Sequence, residues 1–267
     1  MTDAAPTVRR QRLSFAVEHW SGGAATLYGI GHALLLALIA GVDHDAAARL
    51  HDQHGRKAFA LEPLTIAPLA GGLARAELAV ATWDGELGDL VQRALACTLD
   101  RPATIAGHSA CVLDVRETDH TTPTEILATC SKSTSGVRVR FASPTFFSFG
   151  RGPSGRQRYG LLPEPGLVVR SWVQAWQVAE GETFGLAIEP ARLSERVAVR
   201  WLADLHTQTV DGGKTALTGF LGEVGLSWVG PEEWGPTLLA ALARFSTFSG
   251  TGAKTGHGFG WTELRAG

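Results

Sequence analysis

The chain has 267 residues, of which 45% are hydrophobic and 19% charged, and its formal net charge is −2. This composition excludes an intrinsically disordered protein, and it lacks the overall positive charge of a typical nucleic-acid-binding protein. The three cysteines lack metal-ligand spacing, which predicts a reduced, cytoplasmic protein without a metal site. The N-terminus has no apolar signal region, and the most apolar stretch, residues 33–42, is too short to span a bilayer.

The first half of the chain predicts the element order β-α-β-β-α-β of the ferredoxin-like fold. Alternating apolar residues predict strands, helical spacing of apolar residues predicts helices, and Asp43 is placed to cap a short helix. Pro63 and Pro68 indicate an edge position for the second strand. The predicted elements are a strand at 12–20, helices at 27–40 and 46–51, an extended segment at 59–69, a strand at 73–83, a helix at 86–97 and a strand at 104–115.

The second half repeats this order loosely, with a Gly- and Arg-rich loop at 150–160 before its first helix. The polar connector Ser131–Gly136 is the predicted boundary between the halves. We therefore predict an α+β protein with two tandem ferredoxin-like domains, residues 1–134 and 135–267. The predicted elements of the second half are strand 137–141, helix 163–177, strands 184–189 and 197–203, a hairpin at 215–229 around Gly222, helix 231–248 and strand 259–264.

A glycine-rich segment, Gly250–Gly260, lies close to the C-terminus and has five glycines in eleven positions. Its backbone amides, Lys254 and two threonines suit a phosphate-rich ligand. A mononucleotide loop would need a following helix, but the seven remaining residues leave room only for a short strand. Ala253 also stands where a Walker loop has glycine. The segment therefore favours an extended phosphate chain, meaning RNA.

The stretch from Arg138 to Arg170 contains six arginines and a single acidic residue, Glu164. This local excess of positive charge predicts a surface that faces phosphates. Residues 150–155 match G-x-G-x-x-G by letter, but a proline lies inside the match and no helix follows directly. We interpret the match as coincidental, within a basic loop.

Four segments carry a resemblance to a known family. Gly250–Gly260 lies between a helix and the last strand, and His51 is followed by Lys57 and an extended segment. Residues 141–147 end the first strand of the second half, and Gly219–Gly222 lies in the late hairpin. Through these segments the chain resembles, over most of its length, the CRISPR-associated repeat-RNA-processing endoribonucleases of the RAMP superfamily. One departure is Ala58, which replaces the proline that usually follows the lysine.

The resemblance implies a tandem ferredoxin-like protein that processes pre-crRNA. It implies cleavage of CRISPR repeat RNA without a metal ion or other cofactor, leaving a 2′,3′-cyclic phosphate and a 5′-hydroxyl. The implied partner is the repeat RNA, and no membrane is implied. Whether other CRISPR effector subunits or a second copy of the chain in a homodimer also bind stays open.

Catalysis of this kind needs a base, an acid and a cation, and histidine suits both proton-transfer roles. We predict His51 and His32 for proton transfer and Lys57 for stabilising phosphate charge, with Arg56 competing with Lys57 and Tyr28 as a further candidate. Which histidine is base and which acid stays open, and His32 is alternatively a buried core residue. The residues predicted to bind RNA are Gly250, Gly252, Lys254, Thr255, Gly256, His257, Gly258, Arg151, Arg156 and Arg158.

Two other functions stay open at this stage. A RAMP subunit that holds guide RNA without cutting it would share the fold, but it would not need the histidine segment. A ferredoxin-like domain that binds a small molecule is the second alternative. The arginine excess at 138–170 and the glycine segment without a following helix count against it.

Overall fold

The computed structural model describes residues 7–98, 102–130, 136–180, 192–193, 195–211 and 215–265. Within these ranges the chain forms two antiparallel sheets with associated helices, and one separate two-stranded hairpin. No helix in these ranges combines the length and the apolar character needed to cross a membrane.

The first sheet is built from residues that precede position 122. Its described strands are β1 Val8–Val17, β2 Ala25–Leu27, β3 Phe59–Leu61, β4 Leu64–Pro68, β5 Ala74–Thr82, β6 Ala103–Ile105 and β7 His108–Thr121. They lie in the order β2-β4-β5-β1-β7-β6, and β3 also pairs with β5. The first strand thus lies between the third and fourth main strands, β5 and β7, as in a ferredoxin-like sheet.

Four helices accompany this sheet: α1 Ile30–Ala40, α2 His44–Asp52, α3 Gly85–Ala96 and α4 Pro123–Cys130. The predicted cap of α2 is confirmed, because the Asp43 carboxylate accepts a hydrogen bond of 2.8 Å from the Ala46 amide. Asp84 caps α3 in the same way through the Leu87 amide. These caps satisfy amides that a helix start leaves without intrahelical partners.

The second sheet repeats the arrangement. Its described strands are β8 Gly136–Thr145, β11 Val197–Asp211, β12 Ala216–Trp228 and β13 Thr262–Leu264, in the order β11-β12-β8-β13. Its helices are α5 Pro165–Glu180 and α6 Gly235–Ser249, and the strands β9 Phe147–Arg151 and β10 Gln157–Gly160 form the separate hairpin. The first strand again lies between the third and fourth, so the tandem ferredoxin-like fold is confirmed.

Helix α6 joins the two halves into one continuous core. It packs against strands of both sheets, and nearly all of its side chains are buried. The Phe245 ring contacts Trp176 of α5 at 4.9 Å and Trp83 of the first half at 6.2 Å between ring centroids. These buried contacts of α6 therefore hold the end of the helix against the first half. They also fix the start of the glycine segment that follows.

Several predicted elements differ from the structure. The strand predicted at 104–115 is a hairpin of β6 and β7, with Ala106 and Gly107 at positive φ in the turn. The hairpin predicted around Gly222 is one strand, β12, and Gly222 lies at a bulge with φ 128°. Glycine marks both tight turns and bulges, so the residue type alone does not separate the two structures.

Two further predictions need correction. Strand β4 pairs with both β5 and β2, so the predicted edge position is wrong. Pro63 precedes this strand and Pro68 ends it, where a missing amide hydrogen is tolerated. The last long helix begins at Gly235 and not at residue 231. The strand predicted at 184–189 lies outside the described residues, as does most of the connector Ser131–Gly136, and the domain boundary stays a prediction.

Candidate functional site

The C-terminal glycine segment is bound directly to the start of α1. A short 3₁₀ turn, Thr255–His257, packs against the first turn of that helix. The Gly29 amide donates to the His257 carbonyl at 2.9 Å, and His32 Nδ1 lies 2.9 Å from the Gly256 carbonyl oxygen. The rings of His32 and His257 are 4.0 Å apart between centroids. Two predicted site segments, more than 200 positions apart in sequence, therefore form one cluster.

His32 is buried and neutral in this cluster. Its residue surface is 7% exposed, and its ring stacks on Phe59 with centroids 5.8 Å apart. Burial, with a smaller effect from the Lys57 charge, lowers the pKa of His32 to about 4. Because its hydrogen-bond partner is a carbonyl, Nδ1 carries the proton and Nε2 keeps a free lone pair. At neutral pH this imidazole can accept a proton at Nε2, while its one proton, on Nδ1, is held by the Gly256 carbonyl.

His51 and Lys57 lie together at the end of α2. The Lys57 ammonium donates to the carbonyls of Leu50 and His51, the latter at 3.3 Å. These contacts place a cation at the negative end of the helix dipole. Burial lowers the pKa of Lys57, and the His51 side chain is exposed to solvent. Both residues are near enough to His32 for their charges to lower its pKa, so the three predicted catalytic residues lie in one region.

Arg56 is not available for the role in which it competed with Lys57. Arg56 is half-buried, and its guanidinium donates to Ser171 O at 2.8 Å, Ser171 Oγ at 3.0 Å, Ser249 O at 3.0 Å and Gly250 O at 3.2 Å. Burial lowers the pKa of Arg56 to about 10, which leaves it charged at neutral pH. These bonds connect the segment beside Lys57 with α5 and with the beginning of the glycine segment.

Tyr28 packs beside the glycine segment, with its ring 4.9 Å from that of Phe259 between centroids. Burial raises the pKa of the Tyr28 hydroxyl. A hydroxyl that ionises less readily is a poorer general base, so this geometry favours a packing role for Tyr28.

The glycines of the segment are required by close packing. A Cβ atom at Gly260 would lie 1.9 Å from the Thr251 carbonyl oxygen, and one at Gly252 would lie 2.4 Å from that of Phe146. Both glycines have positive φ, a conformation that other residues adopt at a cost. At Gly250, Gly256 and Gly258 the nearest atoms to an added Cβ would lie at 2.9 to 3.0 Å.

This packing narrows the predicted role of the backbone amides. The amides of Gly252, His257 and Gly258 donate to Ser171 Oγ, Lys254 O and Thr255 O, so they are already used within the protein. The Gly250 amide donates to Ser246 O, also within the protein. Lys254 is exposed, whereas Thr255 and Gly256 are buried, so the accessible donor of this turn is Lys254.

The basic stretch divides into two parts. Arg138 and Arg140 point to carboxylates on neighbouring strands, pairing with Glu223 and Glu263. The predicted loop at 150–160 is instead the β9–β10 hairpin, which confirms that its G-x-G-x-x-G match is not a nucleotide loop. Arginines of the second part are exposed and have no carboxylate partner in the described ranges: Arg151, Arg156 and Arg158 on the hairpin and Arg170 on α5.

No group of three His, Cys, Asp or Glu side chains within the described ranges is arranged to hold a metal ion. The three cysteines form no disulfide, and Cys97 and Cys111 are exposed. The chemistry that this region offers is therefore that of imidazole, ammonium and backbone amide groups.

Two family models match the chain. The model of the CRISPR-associated endoribonuclease Cas6 matches residues 139–262, and that of the CRISPR Cas6 N-terminal domain matches residues 26–82. Together they span both halves and include α1, the His51–Lys57 segment and the glycine segment. No curated protein sequence matches the chain.

Solved structures resemble the chain over nearly its whole length. A product complex of a Thermus thermophilus Cas6 is 27% identical with a TM-score of 0.79, covering 98% of this chain and 100% of the other. A substrate mimic complex of another Cas6 is 22% identical with a TM-score of 0.67, at 98% and 100% coverage. A Cas6-related protein from Pyrococcus furiosus is 11% identical with a TM-score of 0.65, at 97% and 98% coverage. The last two likenesses concern the fold.

Proposed function

Because the chain belongs to the CRISPR-associated Cas6 endoribonuclease family, which acts in CRISPR repeat processing, we propose that it cleaves repeat RNA without a metal ion. One observation carries the proposal. The glycine segment, with its exposed Lys254, is hydrogen-bonded to the helix that carries His32, beside His51 and Lys57. A ribose-phosphate strand held by the segment would lie next to proton-transfer groups and a cation.

The proposed reaction is an internal transesterification. The 2′-oxygen of the ribose attacks the adjacent phosphorus, and the bond from phosphorus to the 5′-oxygen of the next nucleotide breaks. A base takes the 2′-hydroxyl proton, and an acid gives a proton to the departing 5′-oxygen. The products are a 2′,3′-cyclic phosphate and a 5′-hydroxyl, and no water is consumed. Each proton transfer typically contributes about 10²- to 10⁴-fold to the rate.

The environments of the two histidines support different roles. His32 is neutral with a free lone pair on Nε2, so it suits the base. His51 is exposed at the helix end, where its ring can approach the departing oxygen of a bound strand, so we assign it the role of the acid. Lys57, held beside His51, would stabilise the negative charge that increases on the phosphate in the transition state. The exposed Lys254 and the hairpin arginines would hold the RNA backbone.

The role assignment can be tested by changing the leaving group. Cleavage of a repeat RNA in EDTA, with end-group analysis, first locates the scissile bond and identifies the termini. The same RNA is then made with sulfur in place of the bridging 5′-oxygen, because a thiolate leaves without protonation. We expect the His51→Ala variant to cleave the natural RNA at least about 100-fold more slowly than the wild type. The same variant should cleave the sulfur substrate at close to the wild-type rate. His32→Gln, which keeps a donor for the Gly256 carbonyl, should be slow on both.

His54→Ala is the matched control, because His54 is an exposed histidine in the same region. This variant should cleave the RNA at the wild-type rate. Full activity of His51→Ala on the natural RNA would remove His51 from the mechanism. A strict Mg²⁺ requirement, or products with 3′-hydroxyl ends, would overturn the metal-independent reaction. Binding without any cleavage would favour the RNA-holding RAMP subunit instead.

A further inference from the structure

We propose that a cavity beside the glycine segment binds one unpaired nucleotide of the RNA, with the base stacked on Phe149 and the phosphate paired with Arg170. The inference rests on the proposed function, since it concerns the same RNA strand. The cavity has a volume of about 270 Å³ and lies between the β9–β10 hairpin, α5 and the backbone of Gly252 and Ala253. That space is large enough to take a nucleobase.

The first wall of the cavity is an exposed aromatic ring. Phe149 is 45% exposed, although burial would normally be favoured for so large an apolar side chain. Its ring lies over Gly160, where an added Cβ would be only 2.9 Å from the ring edge. Gly160 therefore leaves space for the tip of the ring against the hairpin, while nearly half of the residue's surface stays exposed. An exposed aromatic face of this kind is a platform for an unpaired base.

The second wall supplies charge and hydrogen-bonding groups. Arg170 and Gln174 lie one turn apart on α5, and both are exposed. In the described part of the chain Arg170 has no carboxylate partner, so its guanidinium is available for a phosphate. Gln174 and Ser148, which also line the cavity, can donate to and accept from the edge of a base.

The third wall links the cavity to the proposed cleavage site. It is formed by Gly252 and Ala253, directly before the exposed Lys254. A strand whose phosphate is held by Lys254 would therefore place an adjacent nucleotide at the cavity. A base that stacks on Phe149 must be out of a duplex stack, so the occupant is a nucleotide from a single-stranded part of the RNA.

Binding can be tested without any cleavage, by fluorescence anisotropy with labelled oligoadenylate of eight nucleotides and an abasic ribose-phosphate strand of equal length. We expect the wild type to bind the oligoadenylate more tightly than the abasic strand. Phe149→Ala should weaken oligoadenylate binding by about fivefold or more and leave the abasic strand unaffected, and Phe149→Trp should restore binding. Arg170→Ala should weaken binding of both strands and reduce the salt dependence.

Two variants serve as controls, because each removes a similar exposed side chain far from the cavity: Leu113→Ala for Phe149 and Arg93→Ala for Arg170. The stacking site would be overturned if Phe149→Ala bound oligoadenylate as tightly as the wild type does. It would also be overturned if the wild type bound the oligoadenylate and the abasic strand equally well. Either result would count even if the protein cleaves repeat RNA. Tighter binding of free AMP than of the oligonucleotide would also overturn it, in favour of a mononucleotide ligand. Stacking without repeat cleavage would contradict only the proposed enzyme activity.

Discussion

At the scale of single residues, burial gives two histidines a chemistry that differs from that of the exposed ones. Burial lowers the pKa of both His32 and His257 to about 4, and the charges of Lys57 and Lys254 add to the effect on His257. The two rings contact each other across the junction between α1 and the glycine segment. Both histidines are neutral when the junction is intact at neutral pH, and protonation would place two like charges about 4.0 Å apart.

This arrangement predicts that the folded protein loses stability as the pH falls. The ordinary pKa of histidine is near 6.5, so between about pH 6.5 and pH 4 the unfolded chain binds more protons at these positions than the folded chain. The free energy of unfolding should therefore decrease over that range. We expect the thermal midpoint to fall less between pH 7 and pH 5 in His32→Gln than in the wild type. His54→Gln, at an exposed position, should follow the wild type.

At the scale of elements, the glycine segment combines two functions in one short length of chain. Its glycines allow close backbone contacts with β8 and with the first half, and Lys254, directly before its 3₁₀ turn, is exposed. The sequence was compatible with both a structural turn and a phosphate-binding loop. The structure divides the segment, since most of its glycines serve packing and Lys254 faces solvent.

The packing role predicts a large effect at Gly260 and a small one at a matched glycine. Gly260 and Gly71 have nearly equal φ values, 67° and 72°, but an added Cβ at Gly71 meets nothing within 4 Å. Gly71→Ala should lower the free energy of unfolding by about 1–2 kcal/mol, which is the conformational penalty alone. Gly260→Ala should cost at least about 3 kcal/mol, because the new methyl group also meets the Thr251 carbonyl. Urea unfolding measures both, and equal costs would contradict the packing role.

At the scale of the whole molecule, two half-buried arginines, Arg10 and Arg56, connect the halves at the end of α6. The Arg10 guanidinium donates to the Thr247 carbonyl and lies over the rings of Phe248 and Trp261. Arg56 reaches the next carbonyls, those of Ser249 and Gly250. Cations at the C-terminal end of a helix are favourable, and these also satisfy carbonyls that have no partner within the helix. The position of the glycine segment thus depends on residues of the first half.

Arg56→Ala should therefore destabilise the whole protein and not one half alone. The change removes bonds to the Ser171, Ser249 and Gly250 carbonyls and to the Ser171 hydroxyl, so we expect a loss of about 3 kcal/mol or more. Arg49→Ala, at an exposed position on α2, should change stability by less than about 0.5 kcal/mol. The unfolding midpoints measured by tryptophan fluorescence and by circular dichroism should shift by the same amount. A wild-type midpoint for Arg56→Ala would show that the connection contributes little.

The sequence alone determined the Asp43 cap and the repeated ferredoxin-like order of the main elements. It also supplied the residue types suited to RNA cleavage. Alternation, helical spacing and capping act between near neighbours, so a local pattern is enough to reveal them. Tertiary structure decided which of those residues are free to act. Arg56 is used internally, the amide of Gly252 donates to Ser171, and Phe149 and Arg170 line the same cavity. Such pairings join positions far apart in the chain, and no local pattern specifies them, since they arise only when the two sheets pack around α6.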